Sequence, residues 1–200
     1  TKIIRKIFKA SEGQSSIDQD ILYELRDRFL MKKDQKYNQE KTDAFFRRCM
    51  QFTGPLTAKG IEDTSFYTYN AFISLNEVGD SPEYFGISKK TFHKEMISRQ
   101  KESPLALNTL STHDTKRGED ARARLNVISD IPGKWKKSTK KWQALNKKFK
   151  LVKGGLEIPS PNDEYFIYQS LLGHMPLNGI PDQSFIERLK QFMIKAIREG

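Results

Sequence analysis

Two hundred residues with 36% hydrophobic and 11% aromatic content suffice for one compact domain, or a small domain with an appendage, and exclude wholesale disorder. No apolar run approaches the roughly 18–20 residues of a membrane-spanning helix, the basic opening Lys2–Lys9 lacks the apolar stretch of a secretory signal, and the single Cys49 excludes an internal disulfide or a multi-cysteine zinc site. The net charge of +10 invites a nucleic-acid partner, yet nine lysines and no acid or arginine lie between Asp130 and Glu157, so the excess is one lysine-rich segment on a nearly neutral chain.

These bounds predict a cytoplasmic protein from a reducing compartment, with Cys49 a buried, inert thiol and with neither membrane nor nucleic acid as partner. The chain opens at Thr1 without a methionine and stops at Gly200 after an amphipathic run, so it reads as an internal piece of something longer.

In chain order, Ser16 with Gln19 reads as a capping box, and Ile17, Ile21, Leu22, Leu25 and Phe29 predict a helix over about 17–30. The polar stretch Met31–Lys41 predicts a solvent loop. A second helix follows, capped by Thr42, with Phe45, Phe46, Cys49 and Met50 on its apolar side. Thr53–Gly60 carries too many turn residues for a helix and predicts a short strand ending in a loop. Two helix starts are expected at Asp80-Ser-Pro-Glu83 and Gly86-Ile-Ser88, the second helix marked by Phe92, Met96 and Ile97.

Leu105–Leu110 is an apolar run of strand length followed by the polar cluster Ser111–Lys116. Ala121, Leu125 and Ile128 open a helical period that Pro132-Gly133 stops, and a lysine-rich helix follows with Trp142, Leu145 and Phe149 on one face. Asn162 is expected to cap a helix that Gly173 ends, with Asp163 and Glu164 in its first turn. A last helix from about Ser184 carries Phe185, Leu189, Met193 and Ile197. The sum is mainly α with two or three short strands. Strand-loop-helix order without hairpin signals suggests parallel-sheet units, too few to close a barrel.

In parallel α/β barrels reactive residues sit just past the carboxyl ends of strands, the position of Ser111-Thr-His113-Asp114 after Leu105–Leu110. An ionised Asp there accepts two hydroxyl hydrogen bonds, matching vicinal hydroxyls of a pyranose, while His113 donates to another. On spacing alone His113 and Asp114 could equally cap the following helix. The run Lys59-Gly-Ile-Glu62-Asp63 carries both charge signs, which local ion pairing would also explain. Trp135 and Trp142 among the lysines either stack on bases or share the buried stripe of one helix. Tyr67, Tyr69 and Phe72 suit sugar stacking or core packing alike.

Three blocks in order add what periodicity does not: Gly54-Pro-Leu-Thr-Ala-Lys-Gly-Ile-Glu-Asp-Thr-Ser-Phe-Tyr67, Leu110-Ser-Thr-His-Asp-Thr-Lys-Arg-Gly-Glu-Asp120 and Asn162-Asp-Glu-Tyr-Phe-Ile-Tyr-Gln-Ser-Leu-Leu-Gly173. They resemble the maltooligosyl trehalose synthase family of α-amylase-like retaining enzymes, and Leu75–Gly79 and Arg122–Val127 extend the likeness over about 45–200. The resemblance implies part of a (β/α)₈ barrel with helical insertions, divided as 1–52 (helical), 53–130 (barrel-derived, with the substrate-site motifs) and 131–200 (lysine-rich insertion and C-terminal helices).

It further implies conversion of the reducing-end α-1,4 bond of a maltooligosaccharide into an α,α-1,1 bond, without cofactor or metal. Asp114 would be the third carboxylate, holding ring hydroxyls beside His113, with Lys59, Glu62, Lys116, Arg117 and Asp120 near the acceptor glucose. The nucleophile and the acid/base carboxylate would come from the rest of a parent chain, leaving this chain alone inactive. Departures from the family pattern are Gly118 for a serine, Gly79-Asp80 for a glycine pair, and His174-Met175 for a small residue and tryptophan. Rival readings are an amylase-like hydrolase and a basic helical nucleic-acid-binding module.

Overall fold

The computed structural model describes residues 2–13, 18–30 and 38–200. These form nine α-helices, one π-helical turn and a two-stranded antiparallel sheet, distributed over two compact units, residues 1–56 and 57–200. The expected mainly helical class with two short strands is therefore what is found, but the strands lie elsewhere than expected.

In the first unit α1 (Lys2–Ser11), α2 (Gln19–Phe29) and α3 (Gln39–Thr57) meet around Phe29, whose ring centroid lies 5.4–6.5 Å from those of Phe8, Phe45 and Phe46. The capping box expected at Ser16 falls outside the described residues. The observed cap of α2 is Asp18, which accepts from the Asp20 and Ile21 N–H groups. Of its expected apolar stripe Leu22 is buried, whereas Ile21 is exposed. Asn38, not Thr42, accepts the Lys41 N–H at the start of α3, and Thr42 sits one turn in, donating back to the Asn38 carbonyl. Cys49 is half-buried rather than buried.

The two expected barrel strands are not strands here. Residues 53–57 complete α3 with Pro55 inside it, and Ala58–Ser65 continues as the π-helical turn into α4 (Phe66–Thr68). A strand leaves its N–H and C=O groups to a neighbour; with none beside it, helical bonding satisfies the same groups locally. Leu105–Leu110 is irregular, its Leu107 and Leu110 carbonyls taken by Arg99 and Arg122 instead of a ladder, with Leu105 and Leu107 bare at 93% and 97% exposure. Asp80–Glu83 makes one turn and no helix, while Ser88 caps α5 (Lys89–Glu102) as expected, accepting from Thr91 N–H.

The observed sheet is a hairpin within the lysine-rich segment, β1 (Leu151–Lys153) against β2 (Leu156–Ile158), and not a parallel unit. Its two-residue loop Gly154-Gly155 has φ of 59° and 79°, the left-handed pair that such turns require.

The core of the second unit joins the 3₁₀ turn Ile73–Leu75 to α6 (Glu119–Asp130), α7 (Pro132–Asn146), α8 (Pro161–His174) and α9 (Gln183–Glu199) through Ile73, Leu125, Ile128, Trp135, Phe166, Tyr168 and Ala196. The predicted stripe Ala121, Leu125, Ile128 is buried. The buried face of α7 is Trp135 and Thr139, with Trp142 packed edge-on to Trp135 and Tyr168, whereas Leu145 and Phe149 are exposed. Ser160 and Asp163 form the capping box of α8, so the cap lies two residues before the expected Asn162. Gly173 lies inside α8, where a Cβ would be in contact with Ala121 and Leu125 of α6. Asp182 caps α9.

Gln169 is fully buried on α8, and its side chain accepts the Ile73 N–H at 3.0 Å and donates to the Asn70 carbonyl at 2.7 Å. Replacing it by an isosteric hydrocarbon strands two buried backbone groups at about 1–3 kcal/mol each. Gln169→Leu is therefore expected to lower unfolding free energy by about 2–5 kcal/mol in urea titration; a loss under about 0.5 kcal/mol, the level of an indifferent surface change, would contradict that account.

Candidate functional site

The site is assembled where the π-helical turn, the Phe66–Gly79 segment and the Ser111–Gly118 loop converge. The wide turn puts Lys59 and Asp63 on one side, where the Lys59 ammonium lies 2.6 Å from Asp63 Oδ2. Fifty-three residues later Lys116 reaches the other oxygen, Oδ1, also at 2.6 Å, and passes 5.3 Å over the Tyr67 ring. One carboxylate thus holds two ammonium groups from separate segments.

The loop bearing Lys116 is fixed from beneath. Glu77 Oε1 accepts the Val78 and Lys116 N–H groups at 2.9 and 2.7 Å, and Oε2 accepts the Arg117 N–H at 3.3 Å. The Arg117 side chain runs into the interior, 5% exposed, and donates to the Ile73 and Asn76 carbonyls. Asn76, itself buried, ties the same segment to the Phe66 and Tyr69 carbonyls. Glu62 accepts the Gly79 N–H at 2.9 Å, closing the segment back onto the turn.

Burial pulls Arg117 down to about 10, against the opposing pull of Glu77 and Tyr67, so it stays a cation at neutral pH. Hydrogen bonds from Lys116 and then Lys59 hold Asp63 down to about 2, and the reciprocal bond raises Lys59. Smaller contributions from Glu199 and Asp114 also raise Lys59, which sets the Asp114 carboxylate within electrostatic reach of the lysine pair.

Each sequence-predicted residue then has a place. His113 and Asp114 sit at the tip of a tight Thr112–Thr115 turn, 3.2 Å apart and both largely exposed, and Asp114 does not cap α6, whose cap position is Gly118. Lys59 and Lys116 come together on Asp63. Glu62 and Arg117 are committed to the framework, their polar groups bonded to backbone. Asp120 is exposed in the first turn of α6, where it opposes the helix dipole, and among the described residues no hydrogen bond or ion pair joins it to the lysine pair. A cavity of about 600 Å³ is lined by Phe72, Phe85, Leu110, Glu119, Arg122 and Asn126, among others, and Asp114 is not part of its wall. Among the described residues no three His, Cys, Asp or Glu converge as a metal site, and no helix is long and apolar enough to cross a membrane.

No family model matches the chain. A Mycobacterium tuberculosis protein described as a maltooligosyl trehalose synthase is 38% identical over 155 residues, 76% of this chain. The solved structure of a hypothetical maltooligosyl trehalose synthase of Sulfolobus tokodaii superposes with a TM-score of 0.68 at 37% identity over 80% of this chain, and a second synthase structure with 0.68 at 32% over 97%. The chain is a relative of the maltooligosyl trehalose synthases.

It spans 19% of the length of the M. tuberculosis synthase and 21% and 27% of the two synthase structures. Of the family departures, Gly118 leaves α6 without a side-chain cap, and His174, the last residue of α8, hydrogen-bonds the Ser170 carbonyl through Nδ1 and tilts against Phe192, a structural placement.

Residue patterns alone left Asp63 and Glu77 unassigned. Asp63 stands four residues after Lys59, a helical spacing whose meaning was hidden while the segment was read as strand and loop. Glu77 carried no local signal, since its partners are backbone groups some 40 residues away.

The folded pKa of Asp63 lies below the ordinary carboxylate value, so its contribution to stability is complete above about pH 4 and disappears as pH falls through about 2. Because the side chain is a third exposed, that contribution is about 1 kcal/mol or less. The stability difference between the parent and Asp63→Asn, from urea midpoints, should be positive near pH 5 and shrink towards pH 2; a constant difference would contradict the assignment.

Proposed function

We propose that this chain is a segment of a maltooligosyl trehalose synthase, an intramolecular glycosyltransferase of the cytoplasm that converts the reducing-end α-1,4 bond of a maltooligosaccharide into an α,α-1,1 bond. The observation that carries the reading is the 38% identity over 155 residues together with the gathering of Lys59, Asp63 and Lys116 near the His113-Asp114 turn. In this reading the chain is a portion of a (β/α)₈ barrel with helical insertions, divided near 52/53 and 130/131. The bare leucines before Ser111 favour it, since such a run suits a strand with neighbours on both sides.

Asp114, exposed and not engaged as a helix cap, is free to accept two vicinal hydroxyls of the glucose whose bond is cut, with His113 donating to a third. Lys59 and Lys116 present the remaining N–H donors of their ammonium groups to hydroxyl oxygens of the acceptor glucose. The mechanism is retaining, and it needs a nucleophile and an acid/base carboxylate about 5–5.5 Å apart. Both are supplied by other parts of the longer enzyme, so this chain by itself is silent.

Two measurements test the reading. Titrating maltose or trehalose into the ¹⁵N-labelled chain should move amide signals of residues 59–63 and 111–117, and scarcely differently at high salt; shifts confined to the lysine-rich α7, or binding that collapses with salt, would favour a polyanion partner instead. Incubation with maltopentaose should yield no trehalose-type product above background, and turnover would overturn the claim that the reacting carboxylates lie elsewhere.

A further inference from the structure

Resting on the reading of Lys59 and Lys116 as sugar-facing groups, we propose that Asp63 is the positioning residue of the acceptor-glucose site, fixing both ammonium groups as one recognition pair. Asp63 holds Lys59 from within the same turn and Lys116 from another segment. Lys59 projects from the π-helical turn with its side chain 77% exposed, and a four-carbon stem in solvent samples many rotamers. Lys116 comes from a loop 53 residues beyond Asp63 and is only 14% exposed, packed over Tyr67.

Asp63 gives one oxygen to each ammonium, so in this role the residue acts through the lysines. Each ammonium has three donors and gives one to Asp63, leaving two apiece for hydroxyl oxygens. Two ammonium groups share one carboxylate, so the pair offers hydrogen-bond donors, and no acceptor, to a neutral polyhydroxyl ligand. A simple helical ion pair would need only Lys59, four residues away; the Lys116 contact is what makes the arrangement a clamp between two segments. Pre-organisation of this kind raises affinity by removing the ordering cost that free lysine stems would meet on binding.

The test compares the parent with Asp63→Asn and Asp63→Glu. Glucose, maltose and trehalose are titrated into each ¹⁵N-labelled protein, and Lys59 reactivity is read by limited acetylation and mass spectrometry. The expected result is that Asp63→Asn weakens sugar binding about tenfold, speeds Lys59 acetylation severalfold and leaves the α6 and α8 amide signals in place, while Asp63→Glu, which keeps both oxygens and the charge, recovers most of the affinity. Parental affinity in Asp63→Asn, or a Glu variant no better than the Asn variant, overturns the positioning role with the site reading intact. A parent that binds none of the three sugars overturns the site reading, even where Lys59 acetylation still responds to Asp63.

Discussion

Glu77 accepts the backbone N–H groups of Lys116 and Arg117 while the Arg117 side chain passes into the interior to meet the Ile73 and Asn76 carbonyls. Through this exchange two segments some 40 residues apart in sequence share one set of hydrogen bonds. The loop from Ser111 to Gly118 has no secondary structure and no buried apolar side chain of its own to hold it; Glu77 and Arg117 fix its backbone, and the Lys116–Asp63 pair ties it to the π-helical turn. Everything said of the lysine pair, and of Asp114 beside it, presupposes that anchor.

Burying a guanidinium is costly unless its charge and donors are answered; here the Ile73 and Asn76 carbonyls take Nη1 and the Glu77 carboxylate offsets part of the charge, while Nε is buried without a partner. The same segment is pinned from the opposite side by Gln169 and from within by Asn76, both buried amides with backbone partners. The interior around residues 66–77 is thus specified by polar bonds of fixed geometry, and the apolar core of Leu125, Ile128, Trp135 and Phe166 supplies a platform beneath it. Framework and site are different residues in the same short stretches: Glu62, Glu77 and Arg117 bond backbone, while Lys59, His113 and Asp114 face outwards and Lys116 reaches Asp63 from a largely buried stem.

Much of the helical framework was legible because helices are written in local periodicity: Ala121, Leu125 and Ile128 at their spacing, Ser88 before Lys89, and the acid-rich start of α8 all read directly. The strands failed for a physical reason. Thr53–Gly60 and Leu105–Leu110 have strand-like composition, but a strand is a relation between segments, and without a neighbour one becomes helical and the other is left irregular. The opposite error, overlooking the hairpin at Gly154-Gly155, came from letting the lysines define their segment when a two-residue glycine turn was the stronger signal. At the site, Lys59, Lys116 and Asp114 were found through the likeness of their blocks, whereas Asp63 and Glu77 act through partners that one-dimensional patterns do not pair.

The relationship to the maltooligosyl trehalose synthases gives these residues a chemical setting, and the anchor gives them a place. Amide hydrogen exchange at Lys116 and Arg117 tests that anchor most directly. The account predicts that both N–H groups are protected in the parent and become fast-exchanging in Glu77→Ala while the α8 amides stay protected; unprotected amides in the parent, or protection that survives the loss of Glu77, would contradict it.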